Sequence, residues 1–261
     1  MSRTGGQTPH GSDGEVAIEL VGLSHRYGDL EVLAGLDACV PHGGFVSLIG
    51  PSGCGKSTVL RVLAGLLVPS SGEARVDGRP AVGRPGLVAF MPQRDTLLPW
   101  RRALANATLG AEIAGREKSA LRAEAIRLFE QFGLGGFERA WPGQLSGGMR
   151  QRVALLRTFL AGNEVMALDE PFGALDALTR RELQVWLADV LSSERRTCLL
   201  VTHDVDEALW LSDEVLVLSP RPGRIRVRVD VPFSRPRSPL LVGEPAFARL
   251  KATVLSALEG A

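Results

Sequence analysis

The sequence predicts an α/β fold: a mixed, mostly parallel sheet, an antiparallel β lobe and an inserted α-helical subdomain. Three observations predict it. A short apolar run, Phe45–Ile49, leads through a glycine-rich turn straight into a helical pattern. In the second half, three short apolar segments alternate with amphipathic helices, the signature of parallel strands joined by crossovers. Between these regions lies a long stretch of helical composition with no strand pattern.

The elements follow in chain order. Residues 1–14 are Gly, Ser, Thr and Asp-rich without periodicity and read as a disordered leader. Val16 to Val40 alternates in polarity and is broken at Tyr27-Gly28-Asp29, which suggests antiparallel strands. Phe45–Ile49 is a buried strand, and a helix runs from Lys56 to Leu66. A second β patch is expected around Glu73–Val76 and Leu87–Phe90. Ala103 to Phe132 carries long amphipathic helical stretches, and Ser146 to Leu160 a further helix. Strands at Glu164–Leu168, Thr197–Val201 and Glu214–Leu218 then alternate with helices near Ala177–Leu191 and Val205–Leu211. Arg224–Val231 reads as an edge strand, with Arg224, Arg226 and Arg228 on its solvated face. Phe247, Leu250, Val254 and Leu258 form the stripe of a last helix.

Composition narrows the function. At 261 residues, 45% of them hydrophobic, the chain suits one large domain or one domain with an inserted lobe. A net charge of +1 argues against a nucleic-acid partner. The three cysteines show no metal-type spacing and suit a reducing compartment. No apolar run approaches the roughly 18 residues that span a bilayer, so any membrane role needs another chain.

The turn after Ile49 reads Gly50, Pro51, Ser52, Gly53, Cys54, Gly55, Lys56, Ser57, Thr58, matching G-x-x-x-x-G-K-[ST]. Glycines let backbone N–H groups turn inward around phosphate, and the following helix presents its positive end. Lys56 is placed for the β- and γ-phosphates and the Ser57 hydroxyl for Mg²⁺. With strand and helix on either side, a bare glycine turn is the weaker reading. Cys54, at a helix N-terminus, is either a thiol whose alkylation blocks nucleotide and which nucleotide protects, or a small residue that fills the loop. A second anion-binding helix start is Leu145-Ser146-Gly147-Gly148-Met149, where backbone N–H groups and Ser146 can meet an anion. Shortly after it, an apolar strand ends in Asp169-Glu170, at the sheet edge where ligands of parallel sheets gather.

Taken in order, these segments resemble the ATP-binding cassette ATPases, the nucleotide-binding subunits of ABC transporters, from about Val16 to Ser219. The resemblance implies a P-loop NTPase core over residues 15–230, with the helical subdomain at about 95–160 and a C-terminal tail and helix at 231–261. It implies that Ser146, Gly147 and Gly148 contact the γ-phosphate of ATP held by an opposite subunit; Met149 stands where the family usually has Gln. Asp169 would support Mg²⁺ and Glu170 would act as general base on the attacking water. Gln93 matches the loop that senses Mg²⁺ and that water, and His203 matches the switch histidine. Asp176, in Ala174-Leu175-Asp176, matches the loop crossing the dimer seam, and Tyr27 the aromatic that stacks on adenine.

The partners implied are a second copy of the chain, transmembrane permease subunits and, indirectly, an extracytoplasmic solute-binding protein. The implied place is the cytoplasmic face of the membrane. Gln93-Arg94-Asp95-Thr96-Leu97-Leu98-Pro99-Trp100-Arg101 is similar to the importer branch for nitrate, sulfonates, taurine and thiamine-pyrimidine precursors. Leu97, Leu98 and Trp100 are either a docking surface for the permease or core of the helical lobe. The rival readings are a small-molecule kinase or GTPase, a soluble ATPase of the same family acting on ribosomes or DNA, and a degenerate scaffold. The signature segment, the single cassette without a basic face, and the presence of Lys56, Asp169, Glu170 and His203 weigh against them in turn.

Overall fold

The computed structural model describes residues 16–259, so the expected leader at 1–14 lies outside the described residues. Two sheets divide the strands. β1 (Val16–Tyr27), β2 (Leu30–Pro41), β4 (Ser71–Val76) and β5 (Arg79–Pro80) form an antiparallel sheet in the order β2-β1-β4-β5. The larger sheet runs β10-β9-β3-β8-β7-β6. It contains β3 (Phe45–Ile49), β6 (Ala89–Met91), β7 (Val165–Asp169), β8 (Thr197–Val201), β9 (Glu214–Leu218) and β10 (Ile225–Asp230). Its inner pairings are parallel, and only β10 runs antiparallel, against β9.

The central strands β3, β7 and β8 are buried at every position, as a sheet covered on both faces requires. Helices α1 (Lys56–Leu63), α5 (Ala177–Ser193), α6 (Val205–Leu211) and α7 (Pro245–Glu259) accompany this sheet. In α7 Phe247 and Val254 are fully buried, and Leu250 and Leu258 pack against the core beside them. Helices α2 (Ala103–Ile113), α3 (Lys118–Gln131) and α4 (Gly147–Leu160) form the helical region. No helix among the described residues is long and apolar enough to cross a membrane.

The expected fold class is the observed one, with three local differences. The β patch near residue 90 does not join the small sheet: Ala89 and Met91 are buried and Ala89–Met91 pairs in parallel with Met166–Leu168. The helical run from Ala103 is interrupted, because Gly115 adopts φ +78 and Glu117 caps α3 by accepting from Ser119 and Ala120 N–H groups. The helix after the phosphate loop ends three residues early, where Gly65 at φ +73 lets the Leu66 N–H reach back to the Arg61 carbonyl.

Candidate functional site

The phosphate loop spans the end of β3 and the start of α1. Gly55, the residue before α1, sits at φ +107 and offers no side-chain cap, so the first N–H groups of the helix are left for a ligand. A Cβ at Gly55 would stand 2.4 Å from the Leu33 side chain, so only glycine fits between the loop and β2. Lys56 is largely buried and its Nζ donates to the carbonyls of Gly50 at 2.7 Å and Pro51 at 2.9 Å. That bond pattern holds the ammonium along the inner side of the loop, while Ser52 and Gly53 at its crest are exposed. Ser57 and Thr58 follow in the first turn of α1.

Cys54 corrects the reading as a reactive thiol. Its thiol is 1% exposed, and the space a Cβ on Gly50 would take lies 3.0 Å from both its Sγ and the Leu218 side chain. A sulfur packed in this way fills the loop from behind; alkylation needs the loop to open first.

Strand β7 delivers the two carboxylates to different surroundings. Asp169 is 3% exposed and its Oδ1 has no hydrogen-bond partner among the described residues. Burial raises its pKa, against the lowering influence of the Ser57 hydroxyl. A buried, orphaned carboxylate oxygen beside a hydroxyl is a donor set that fits a hard cation or its bound water. Glu170 emerges from the strand at φ +50, partly exposed, and its carboxylate is held from two sides. Gln93 Nε2 donates to Oε2 at 3.1 Å, and His203 Nδ1 lies 3.3 Å from Oε1. Gln93 follows β6 and His203 follows β8, the strands on either side of β7, which is why residues so far apart in sequence converge.

The signature segment forms the start of α4. Ser146 is its N-cap, its Oγ accepting from the Met149 N–H at 3.2 Å. Ser146 and Gly147 are exposed, whereas a Cβ on Gly148 would lie 3.3 Å from the Ala174 carbonyl, so this turn abuts the segment before Asp176. Asp176 caps α5, accepting from Thr179 N at 3.1 Å, and that backbone bond holds its pKa low. Met149 is half-buried against the apolar core, which accounts for an apolar residue there. Tyr27 ends β1, half-exposed, its ring edge-on to the buried His25 at 4.5 Å between centroids. The structure thus gathers Lys56, Ser57, Asp169, Glu170, Gln93 and His203 around one sheet edge. Ser146–Gly148 and Asp176 form a second, separate surface.

Four side chains missed in the sequence tie these parts together. Arg150 Nε bonds Asp95 Oδ2 at 3.0 Å, and Arg157 Nη2 bonds the Asp95 carbonyl at 2.8 Å, fastening the segment after Gln93 to α4. Gln151 Nε2 donates to the Glu170 backbone carbonyl at 3.2 Å, joining α4 to the main chain at that residue. Glu207 on α6 is buried, accepts from Gln184 Nε2 at 3.1 Å, and has its pKa pushed up to about 7, chiefly by burial. Arg150 and Gln151, one and two residues past the signature, carried a positional hint. The others are single polar residues without pattern.

Comparison with known proteins decides the family. The family model described as ABC transporter matches residues 33–173. The chain belongs to the ABC transporter family. It is similar to the aliphatic sulfonates import ATP-binding protein SsuB 1 of Rhodococcus jostii, at 48% identity over 222 residues, 85% of this chain and 86% of that one. It is 43% identical to the taurine import ATP-binding protein TauB of Rhizobium johnstonii over 214 residues, 80% of each chain. Among solved structures it is similar to a dimeric bacterial ABC transporter cassette. The TM-score is 0.77 at 27% identity, over 83% of this chain and all of that one. A dimeric post-hydrolysis state of an ATP-binding cassette bound to ADP and Pi gives a TM-score of 0.75 at 25% identity, over the same shares. The cassette fold and its importer-type relatives agree with the expectations drawn from the sequence.

Proposed function

We propose that this chain is the ATP-hydrolysing subunit of a membrane importer and works as a pair of copies, each phosphate loop completed by the other copy's signature segment. The observation that carries this reading is the geometry at Glu170: a carboxylate projecting beside the phosphate loop, steered by Gln93 and His203. Lys56 and the loop N–H groups bind the β- and γ-phosphates, and Tyr27 stacks on the adenine. Glu170 orients the attacking water and accepts its proton at the carboxylate; His203 contacts the γ-phosphate and holds Glu170 in line. Ser57, Asp169 and Gln93 would hold Mg²⁺ directly or through water, and that ion supplies neutralisation of phosphate charge. Ser146, Gly147 and Gly148 present the start of α4 to the nucleotide of the facing copy, with Asp176 at the seam.

Transmembrane permease subunits form the path, and an extracytoplasmic binding protein delivers the solute to them, placing this chain on the cytoplasmic face of the membrane. Support comes from the helical region, where a groove of about 870 Å³ opens between α2 and α3, lined by Arg102, Leu104, Thr108, Leu121 and Arg122. Trp100 stands 70% exposed, whereas Leu97 is buried in the core, so the two sequence readings of this segment divide between them. The importer relatives and the segment after Gln93 favour a small sulfonate-type solute.

The test is ATP-dependent dimerisation of Glu170→Gln protein by size-exclusion chromatography in Mg²⁺-free ATP. A dimer that appears only with ATP is expected. A nucleotide-bound protein that stays monomeric even with its permease present sinks the shared-site reading. Stimulation of hydrolysis by an alkanesulfonate in the reconstituted complex tests the solute.

A further inference from the structure

The loop between β9 and β10, Ser219–Arg224, touches the phosphate loop from outside. Ser219 closes it: its N–H donates to the Arg224 carbonyl at 2.9 Å, and its hydroxyl accepts from the Arg224 N–H at 3.0 Å. The same hydroxyl lies 2.9 and 3.0 Å from the carbonyls of Pro220 and Pro222. Gly223 then docks the loop on β2, donating to the Val32 carbonyl at 2.8 Å and accepting from the Ala34 N–H at 3.1 Å. A Cβ on Gly223 would stand 2.2 Å from the Cys54 carbonyl, so the two loops meet backbone to backbone and a larger residue would force them apart. From this fixed base Arg221 reaches over the crest. Its Nε donates to the Gly53 carbonyl at 3.1 Å, and its Nη2 lies 2.7 Å from where a Cβ on Gly53 would stand.

The physical need for such a contact is clear from the loop itself. Gly53 at φ +76 and Gly55 at φ +107 flank Cys54, and glycine rotates between conformations at little cost. The peptide joining Gly53 to Cys54 therefore has, on its Gly53 side, a backbone angle that turns at little cost. Because a peptide is planar and trans, holding the Gly53 carbonyl outward points the Cys54 N–H the opposite way. That is toward the Pro51 carbonyl, 3.3 Å away, on the side where Lys56 Nζ also lies. We infer that Arg221 is a positioning residue for the nucleotide: it holds the Gly53–Cys54 peptide in the turn that the Cys54 N–H closes on the Pro51 carbonyl, so that the loop keeps one shape for phosphate. Presetting lowers the ordering cost of binding and leaves the hydrolytic step, which belongs to Glu170, Gln93 and His203, untouched.

This inference rests on Gly50–Thr58 being the ATP site, and the experiment keeps the two apart. Full-length Arg221→Ala, Arg221→Lys, Arg221→Gln and Lys56→Ala proteins are titrated with a fluorescent ATP analogue and assayed for steady-state hydrolysis. Arg221→Ala is expected to raise the Kd and KM about tenfold, the loss of one charge-assisted hydrogen bond, with kcat within about twofold of wild type. Lys or Gln at the position, each able to donate to the carbonyl, recovers most of the affinity. Wild-type Kd in Arg221→Ala, alongside lost binding in Lys56→Ala, overturns the role of Arg221 alone. A fall in kcat and Tm that Lys and Gln do not rescue overturns it too, because a collapsed loop would then account for the defect. Unchanged binding in Lys56→Ala removes the site on which the inference stands.

Discussion

Two helices in this molecule begin at glycine-rich turns, and the chain treats them in opposite ways. At α1 the turn is walled in: Gly55 fits against Leu33, Cys54 is buried, and Lys56 is bonded to the loop carbonyls. At α4 the turn is bare, with Ser146 and Gly147 open to solvent and the cap made by the serine itself. Both starts offer N–H groups and a positive helix end. The first is shaped to enclose phosphate within one chain; the second is finished as a face to be offered to something else. Two glycine-rich helix starts of such different finish are what the proposed sharing of a site between copies requires.

The comparison can be broken at the enclosed turn first. Lys56→Ala removes the ammonium that lines the loop and is expected to weaken ATP binding by about a hundredfold, read by equilibrium titration. Binding kept at wild-type strength would place the nucleotide elsewhere. Glu170→Gln comes next: kcat is expected to drop about 10²–10⁴-fold, the usual range for a lost general base, while ATP still binds. Equal losses of binding and turnover would show that the carboxylate supports the loop and not the water. At the bare turn, Ser146→Arg puts bulk and length on the exposed face. It should leave ATP affinity of the single chain within about twofold of wild type and abolish the ATP-dependent dimer, since rigid contact surfaces tolerate such an intrusion poorly. A dimer that survives it would make the bare turn a mere helix cap.

The smallest effect sharpens what lies beneath the enclosed site. Glu207 has a folded-state pKa raised from 4.5 to about 7, mainly by burial, with Asp204 adding to the rise and Thr202, Gln184 and Arg180 opposing it. A carboxyl that holds its proton more tightly when folded favours the fold below pH 4.5. That advantage is lost as pH rises toward 7, because the unfolded chain ionises first. Glu207→Gln has no such titration and keeps an oxygen for Gln184. It should match wild type near pH 4.5 and exceed it by about 3 kcal/mol at pH 8, measured by urea unfolding at both values. A constant difference across that window would mean that the side chain's ionisation plays no part.

How much of this was legible in the sequence depended on whether a feature had spacing. The phosphate loop, the signature segment and Asp169-Glu170 could be read because glycine and acid positions there are set by local backbone geometry, within nine residues of one another or less. The parallel strands could be read because burial on both faces leaves unbroken apolar runs. Ala89–Met91, three residues long, has too little pattern to reveal which sheet it joins. Cys54 looked reactive from its helix context, but it is buried in a core cluster that Leu218, distant in sequence, helps to form. Arg150, Arg157 and Arg221 act through contacts that span 55, 62 and 168 residues. In a chain with 30 basic residues, nothing local marks out the last two.

The grip on Glu170 has one more consequence. With Gln93 on one oxygen and His203 beside the other, the carboxylate is engaged from both sides. One loop leads to the helical region and the other to the base of α6, so a displacement of either would change where the acid points. The direction of one carboxylate thus reports on two distant parts of the fold at once.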